Sequence, residues 1–287
     1  MPKIRMFRGL PGSGKTTEAR EVVRKDGNAG RINRDDLRAM LFNGVWSGKR
    51  EGIVVEAEKA IAAVLVKNNY TALIDDTNLS EKHWRLWGGV SEELKTTITQ
   101  TTLTTPLEEC VQRDAARETP VGEAIINRMA LQAGWIKFGD KPIIICDIDG
   151  TLAEGKYRNF LVEGVEKKDW KGYYSLLDTD VPIEHIIRWV NALAEDHTIV
   201  IVSGRPDTYQ HETLKWLREI AKIKFDYIFM RPGNEKKPDF EVKSDILSRL
   251  PKEQIDFVLD DRPQVIEKCW RANRVRVIPV KGACEDF

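Results

Sequence analysis

A glycine-rich segment close to the N-terminus constrains the fold more than any other feature of the chain. Residues 9–16 read GLPGSGKT and match the pattern G-x-x-x-x-G-K-[ST] at every fixed position. Residues 3–8 are partly β-prone, and residues 15–24 are compatible with a helix. This order of strand, loop and helix is typical of an α/β fold with a phosphate-binding loop (P-loop). A turn that binds no ligand is the alternative interpretation.

The chemistry expected of this loop follows from its residue types. Glycines let backbone N–H groups turn towards phosphate oxygens without a clash from a Cβ atom. Lys15 supplies a positive charge for the β- and γ-phosphates, and the Thr16 hydroxyl can hold Mg²⁺. The residues predicted to bind the nucleotide are Gly9, Gly12, Ser13, Gly14, Lys15, Thr16 and Thr17.

Two acidic clusters follow in the first half of the chain. Asp35 starts a helical segment and can accept a proton from an attacking hydroxyl group, and Arg38, one turn later, can bind a substrate phosphate. N-capping by Asp35 or Asp36 is the structural alternative. Asp75 and Asp76 follow a strand candidate, where they suit either a metal or water ligand or an ordinary turn.

Three arginines, Arg113, Arg117 and Arg128, lie in helix-compatible sequence further along. Arginines that close over a nucleotide stabilise the charge of a transferring phosphoryl group. A solvent-facing position is the alternative for each of them.

The organisation of the chain changes around residues 139–142, which read GDKP and precede a new apolar run. This break predicts two domains, residues 1–139 and 140–287. In each domain, strand candidates alternate with helical ones, which predicts an α/β fold with an open, mostly parallel sheet flanked by helices. The strand candidates are 3–8, 72–75 and 96–103 in the first half, and 143–146, 198–202, 227–230 and 257–259 in the second.

The first strand of the second half ends in the motif D-x-D-G-T. Its aspartates, Asp147 and Asp149, point the same way because side chains in a strand alternate with a period of two. One carboxylate can attack phosphorus to form an aspartyl-phosphate while the other protonates the leaving oxygen. Mg²⁺ between these carboxylates would offset their repulsion. This motif at the end of a strand is specific to the haloacid-dehalogenase-like phosphatases.

The remaining motifs of those phosphatases follow in order. Ser203 ends a strand candidate, where its hydroxyl can hydrogen-bond a phosphoryl group, and Arg205 lies two residues later. Lys243 starts a helical segment and can neutralise a phosphorylated aspartate. Asp260 and Asp261 end the last strand candidate, where a metal-binding carboxylate is expected.

The combination of motifs resembles the bacteriophage T4-type family of bifunctional polynucleotide 5′-kinase/3′-phosphatases, over essentially the whole chain. The segments that carry the resemblance are 9–17, 32–38, 76–79, 147–153, 203–205 and 260–265. The resemblance implies that Asp35 is the general base on a polynucleotide 5′-OH and that Arg38 contacts the 3′-phosphate of the acceptor. It also implies that Lys15 and Thr16 bind ATP with Mg²⁺, and that Arg128 is a lid arginine on the transferred phosphate.

For the second domain, the resemblance implies that Asp147 is the nucleophile and Asp149 the acid/base. The residues that would complete this site are Ser203, Arg205, Lys243, Asp260 and Asp261. Mg²⁺ would be held by Asp147, by the backbone carbonyl of Asp149, and by either Asp260 or Asp261.

The function implied by the resemblance is the healing of DNA or RNA ends. The chain would transfer the γ-phosphate of ATP to a 5′-OH and remove a 3′-phosphate or 2′,3′-cyclic phosphate, which gives the ends that a polynucleotide ligase needs. A homotetramer and a phage protein in the host cytoplasm are implied as well. One alternative is a small-molecule kinase fused to a metabolite phosphatase. The other alternative is a catalytically idle nucleic-acid-binding scaffold. The intact Lys15, Asp35, Asp147 and Asp149 argue against it, because a scaffold needs no catalytic carboxylate.

Composition argues against several other classes. The 45 Lys and Arg residues balance 45 Asp and Glu residues, so a wholly basic protein that coats DNA is not expected. No apolar run approaches the roughly 18 residues of a membrane span, and a signal peptide is not expected, because residues 1–10 lead directly into the glycine-rich motif. The four cysteines form no Cys-x-x-Cys pair, so neither a zinc site nor a disulfide framework is indicated, and a reducing cytoplasm is expected.

Overall fold

The computed structural model of the chain describes residues 2–280 and divides into two units, Met1–Val121 and Gly122–Phe287. Three cysteines, Cys110, Cys146 and Cys269, are buried and unpaired, and Cys284 lies outside the described residues. Within residues 2–280, every helix falls short of the length and apolarity that a membrane span requires.

The first unit is built on a four-stranded parallel sheet with the strand order β2-β3-β1-β4. Its strands are β1 (Lys3–Arg8), β2 (Ala29–Ile32), β3 (Thr71–Ile74) and β4 (Thr97–Thr102). Its helices are α1 (Lys15–Lys25), α2 (Arg34–Phe42), α3 (Gly48–Lys67), α4 (Glu81–Glu93) and α5 (Leu107–Ala115).

Helices cover both faces of this sheet. In β1, Ile4 and Met6 belong to a core cluster that includes Trp87 of α4, whereas Phe7 packs on the opposite face with Ala19 of α1. The alternation is the period of two that a strand imposes. Because β1 is central and its carboxyl end runs into the P-loop, the sheet fixes the position of that loop.

The second unit contains a five-stranded parallel sheet with the order β11-β10-β5-β8-β9, and a two-stranded antiparallel pair, β6 and β7. Its strands are β5 (Ile143–Cys146), β6 (Ala153–Glu154), β7 (Val181–Pro182), β8 (Thr198–Pro206), β9 (Tyr227–Arg231), β10 (Ile255–Asp260) and β11 (Val277–Pro279). Its helices are α6 (Glu123–Gln132), α7 (Trp170–Ser175), α8 (Glu184–Leu193), α9 (Gln210–Lys215), α10 (Asp239–Leu247) and α11 (Pro263–Val265).

The central strands of this sheet are buried on both faces, as their continuous apolar sequence predicts. Ile144 packs into one core cluster and Ile145 into the other. Strands β10, β5 and β8 are parallel neighbours, so their carboxyl ends meet at one edge of the sheet. This edge is where open α/β sheets bind their ligands.

The division between the units differs from the boundary predicted after residue 139. In the structure it falls between Val121 and Gly122, because α6 packs with the second unit. Leu131 of α6 joins a core cluster of that unit, and the Asn127 side chain donates a hydrogen bond of 3.4 Å to the Ile228 carbonyl of β9.

Candidate active sites

The P-loop connects β1 to α1 and borders a cavity of 660 Å³. Its glycines are required by geometry at two positions: Gly12 and Gly14 have φ values of +81° and +96°. A Cβ atom on Gly12 would also lie 2.2 Å from the backbone oxygen of Cys110. The residues that line the cavity are Gly12, Gly14, Lys15, Thr16, Thr17, Glu18, Glu21, Arg113 and Arg117.

Lys15 is buried inside the loop. Its Nζ donates hydrogen bonds to the carbonyls of Gly9 at 3.0 Å and Leu10 at 2.7 Å, and it lies 3.4 Å from the Ser13 hydroxyl. Burial lowers the pKa of Lys15 to about 8, although the nearby Asp75 acts in the opposite direction. Phosphate oxygens can replace these loop acceptors and favour the charged form of the amine.

Asp75 lies directly after β3, where its carboxylate is buried. Burial raises the pKa of Asp75, while Arg31 and the Thr16 hydroxyl act in the opposite direction. Arg31 donates from Nε to Asp75 at 2.6 Å. Thr16 and Asp75 therefore form an all-oxygen pair beside the P-loop, which fits the ligands that Mg²⁺ prefers.

Asp35 lies in the first turn of α2, and its side chain remains available. The N-cap of α2 is Asn33, whose side-chain oxygen accepts from the backbone N–H groups of Asp35 at 3.0 Å and Asp36 at 3.1 Å. The capping role considered for Asp35 or Asp36 is therefore wrong. The Asp35 side chain is 84% exposed and pairs with Arg38, which also binds Glu51 at 2.9 Å.

A buried charge network fixes the start of this helix. Arg34 donates to Glu58 at 2.6 Å, and its backbone N–H donates to Asp76 at 3.0 Å. Glu58 is completely buried on α3, and burial together with the neighbouring Asp76 raises its pKa to about 9. At neutral pH the Glu58 carboxyl group therefore keeps its proton.

The lid role of Arg128 stays a prediction. The structure places Arg128 on α6 of the second unit, where its guanidinium forms an ion pair with Asp207. The arginines that line the P-loop cavity are Arg113 and Arg117, on and just after α5. Nη1 of Arg113 lies 3.8 Å from the position of a Cβ atom on Gly14.

The second site lies at the carboxyl edge of the second sheet. Asp147 follows β5 and is buried, with Oδ1 accepting from Lys243 Nζ at 2.8 Å. The same ammonium lies 2.9 Å from Asp260 and 3.6 Å from Asp239. Burial raises the pKa of Asp147 well above its ordinary value, and Lys243 acts in the opposite direction. One Asp147 oxygen is held by Lys243, which leaves the other for chemistry.

Three carboxylates, those of Asp147, Asp260 and Asp261, have oxygens within 4.8 Å of one another. Asp260 already accepts from Lys243, from Trp270 Nε1 at 2.9 Å and from the Arg262 backbone N–H at 3.0 Å.

By contrast, Oδ1 of Asp261 is buried and has no hydrogen-bond partner within residues 2–280. Burial, followed by repulsion from Asp260, raises the pKa of Asp261 to about 6. A cluster of oxygen ligands with one unpartnered oxygen fits a hard divalent cation such as Mg²⁺.

Asp149 is held by two arginines. Arg205 donates to it at 2.7 and 2.9 Å, and Arg158 donates at 2.6 Å. Although burial opposes ionisation, Arg205 and then Arg158 hold the pKa of Asp149 well below its usual range. Asp180 is buried behind them and accepts from both guanidinium groups, at 2.6 Å from Arg205 and 2.8 Å from Arg158.

Both guanidinium groups keep an unused donor. Nη1 of Arg158 and Nη1 of Arg205 are buried and have no hydrogen-bond partner among the described residues. A cavity of 540 Å³ is bordered by Asp149, Arg158 and Asp261. Ser203 is fully buried in the carboxyl-terminal half of β8, where its hydroxyl accepts from the Arg205 backbone N–H at 3.2 Å. Two free cationic donors next to paired carboxylates suit a phosphate group.

Sequence reasoning did not identify four side chains that build these sites: Arg31, Arg158, Asp180 and Asp239. Asp239 had a detectable signal, because it lies four residues before Lys243 on the same face of a helix. Arg158 and Asp180 lie between the D-x-D-G-T motif and β8, where no motif marks them.

Comparison with known families shows which family the chain belongs to. Residues 141–284, just over half of the 287 residues, match the family described as the polynucleotide kinase PNKP phosphatase domain. The chain belongs to this family. Residues 4–133 match the family described as an AAA domain. The resemblance inferred from the sequence is thus confirmed at the level of the family.

Relatives of this PNKP phosphatase-domain protein include a putative bifunctional polynucleotide kinase/RNA ligase of Autographa californica nuclear polyhedrosis virus. It is 24% identical over 308 residues, which cover 97% of this chain and 42% of the relative. The chain therefore spans less than half the length of that curated relative.

Two solved structures are also similar. A chain of the Pnkp1/Rnl/Hen1 RNA repair complex is 25% identical with a TM-score of 0.42, and the match covers 98% of this chain and 97% of that chain. A haloacid dehalogenase-like hydrolase from Streptococcus pneumoniae is 15% identical with a TM-score of 0.38, over 50% of this chain and 88% of that chain.

In this member of the PNKP phosphatase-domain family, the residues predicted for the second site lie together at one edge of one sheet. They are Asp147, Asp149, Ser203, Arg205, Lys243, Asp260 and Asp261. The residues predicted for the first site surround the P-loop and the start of α2, with Arg128 as the exception. The individual roles of these residues stay predictions.

Proposed function

We propose that this protein heals polynucleotide ends, with a 5′-kinase in the first unit and a 3′-phosphatase in the second. One observation carries the proposal. In a member of the PNKP phosphatase-domain family, a complete P-loop occurs together with an exposed Asp35 whose side chain is not the N-cap of its helix. An accessible carboxylate suits a general base on a bulky hydroxyl acceptor. Arg38, its partner, suits a neighbouring backbone phosphate of the acceptor.

The second site supports hydrolysis of a phosphate monoester in two steps. The free oxygen of Asp147 attacks phosphorus and forms an aspartyl-phosphate, as the bond between phosphorus and the 3′-oxygen breaks. Asp149 donates a proton to the leaving 3′-oxygen and then accepts one from the water that attacks the aspartyl-phosphate, which releases inorganic phosphate. Arg158 and Arg205 bind the phosphoryl oxygens through their free Nη1 donors.

We infer that Asp147, the Asp149 backbone carbonyl and Asp261 hold Mg²⁺ in the second site, and that Thr16 with Asp75 holds it in the first. Mg²⁺ supplies charge neutralisation for the phosphate. ATP is the phosphate donor. The name of the viral relative favours RNA ends as the substrate and an RNA ligase as the enzyme that uses the products. Action on DNA ends, a 2′,3′-cyclic phosphatase activity, the tetramer, the phage origin and the cytoplasmic location stay predictions of the resemblance.

The test uses matched RNA and DNA oligonucleotides that carry a 5′-OH and a 3′-phosphate, incubated with ATP and Mg²⁺, with both ends assayed. We expect gain of the 5′-phosphate and loss of the 3′-phosphate. Asp35→Asn should abolish only the first reaction, and Asp147→Asn only the second. Turnover of small hydroxyl acceptors and small phosphate esters, with both oligonucleotide ends unchanged, would instead support the metabolite kinase/phosphatase alternative.

A further inference from the structure

Four aromatic side chains form a continuous stack beside the second site. The Trp170 ring is stacked on Tyr174 at 5.9 Å between centroids, and Tyr174 is stacked on Tyr209 at 4.9 Å. The Tyr173 ring is nearly perpendicular to both neighbours, with centroid distances of 5.6 Å from Trp170 and 5.3 Å from Tyr174. We call these four residues the aromatic stack.

The aromatic stack begins at the second site itself. The guanidinium of Arg158 lies 4.0 Å above the Tyr173 ring and donates to Asp149 at 2.6 Å. Tyr173 also lines the 540 Å³ cavity together with Asp149. On its other side, Tyr209 follows shortly after β8, the strand that carries Arg205. The stack therefore connects α7 to the edge of the sheet where the phosphate group is expected.

The electrostatics of the stack agree with this location. Burial, followed by the negative charge of Asp149, raises the pKa of Tyr174 to about 12. The phenol of Tyr174 is thus within electrostatic range of Asp149 and stays neutral during catalysis.

Packing alone does not explain Trp170. Its side chain is 47% exposed, whereas Trp216 and Trp270 of the same unit are buried in the cores, and Trp189, at 38% exposed, is stacked on Phe257. None of the six residues of α7 is buried, so the indole does not anchor that helix in a core. The Lys168 ammonium lies 5.7 Å from the Trp170 ring, from where it can move to a backbone phosphate.

We propose that the aromatic stack binds the base of the 3′-terminal nucleotide, with Trp170 as the principal stacking surface. This inference rests on the proposed 3′-phosphatase function. The terminal base and the 3′-phosphate are attached to the same sugar, so a phosphate at Asp147 and Asp149 places the base on the surface that borders them. Stacking on aromatic rings accepts every base, because each has a π face, and therefore suits an enzyme that repairs ends of any sequence.

The test compares two oligonucleotides with a 3′-phosphate, one with a normal terminal base and one with an abasic terminal residue. For Trp170→Ala we expect kcat/KM on the normal substrate to fall by about 5- to 100-fold, the size of one lost base–aromatic stack. On the abasic substrate the change should be less than twofold. Trp170→Phe should retain most of the activity. Trp84→Ala, which removes an indole of similar exposure in the first unit, is the matched control.

Equal loss on both substrates would show that Trp170 only supports the fold around Asp149, and would overturn the inference. Unchanged activity of Trp170→Ala on the normal substrate would overturn it as well. If the proposed function itself is wrong, the result differs: the wild-type protein would hydrolyse small phosphate esters but neither oligonucleotide. That outcome would overturn the inference together with the proposed function.

Discussion

Arg205 binds the Asp149 carboxylate through two parallel hydrogen bonds, from Nε to Oδ2 at 2.9 Å and from Nη2 to Oδ1 at 2.7 Å. Paired guanidinium bonds of this kind favour the ionised carboxylate. An acid that donates to a leaving oxygen must carry a proton, so this arrangement describes a resting state. A phosphate dianion can draw Arg158 and Arg205 towards itself, and the weakened pairing then lets Asp149 take up a proton.

Arg158→Gln tests this exchange. It removes a single cation that serves both the phosphate and Asp149, so we expect the 3′-phosphatase kcat/KM to fall by about 10²- to 10³-fold. The pKa of Asp149 should rise towards its ordinary value, and the pH optimum should move upward because more of the acid is protonated at neutral pH. The 5′-kinase activity of the same preparation should not change. Loss of both activities would indicate unfolding, and an unchanged pH profile would contradict the coupling to Asp149.

The arginine that stabilises phosphoryl transfer in the first unit can be identified by comparing three variants. Arg113 and Arg117 line the P-loop cavity, whereas Arg128 pairs with Asp207 in the second unit. We expect Arg113→Ala or Arg117→Ala to reduce the kinase kcat by about 10²-fold. Arg128→Ala should leave the kinase kcat within twofold and destabilise the second unit by about 1–2 kcal/mol in urea unfolding. A kinase defect confined to Arg128→Ala would restore the role that the sequence suggested.

The metal ligand of the second site can be assigned by comparing neighbouring aspartates. Asp261→Asn should raise the Mg²⁺ concentration for half-maximal phosphatase activity at least tenfold, because Asp261 has the unpartnered oxygen. Asp260→Asn should mainly lower stability, since its carboxylate is bound by Lys243 and Trp270. The Mg²⁺ dependence of the kinase serves as the internal control. An unchanged Mg²⁺ requirement in Asp261→Asn would exclude it as a ligand.

Most of the sheet of the second unit could be predicted from the sequence, because its central strands are continuously apolar. The strand predicted at 143–146 is β5, and those at 227–230 and 257–259 fall within β9 and β10. By contrast, β2 reads AGRI, which is not typical of a strand, and α4 contains two adjacent glycines, which are not typical of a helix. Both are stabilised by packing against the rest of the unit, which local sequence does not report.

The candidate sites were predictable where residues follow strands in fixed motifs. Asp147 follows β5, Ser203 lies in the carboxyl-terminal half of β8, and Asp260 ends β10. These strands are parallel neighbours in the sheet, so the topology brings the three residues together. Arg158 and Asp180 reach Asp149 from irregular segments around β6 and β7, whose positions depend on tertiary contacts. Arg128 was predicted within the first domain, whereas the structure groups its helix with the second unit, because helix-compatible sequence does not reveal which sheet a helix packs against.

Glu58 gives the first unit a pH dependence that can be measured. Its carboxyl group is completely buried beside Asp76, with a pKa of about 9 against the ordinary 4.5. Between these values the folded state holds a proton that the unfolded state releases. This contribution to stability is therefore complete below about pH 4.5 and is lost as the pH rises to 9, by at most about 1.4 kcal/mol per pH unit.

Glu58→Gln replaces the protonated acid with a neutral amide of similar size that cannot ionise. We therefore expect its Tm to fall less than the wild-type Tm between pH 6 and pH 9, in thermal unfolding followed by circular dichroism. Glu56→Gln, which changes an exposed glutamate on the same helix, should keep the wild-type pH dependence. An equally steep decrease of Tm in Glu58→Gln would mean that Glu58 is ionised in the folded protein, and that its pairing with Arg34 alone holds α2 in place.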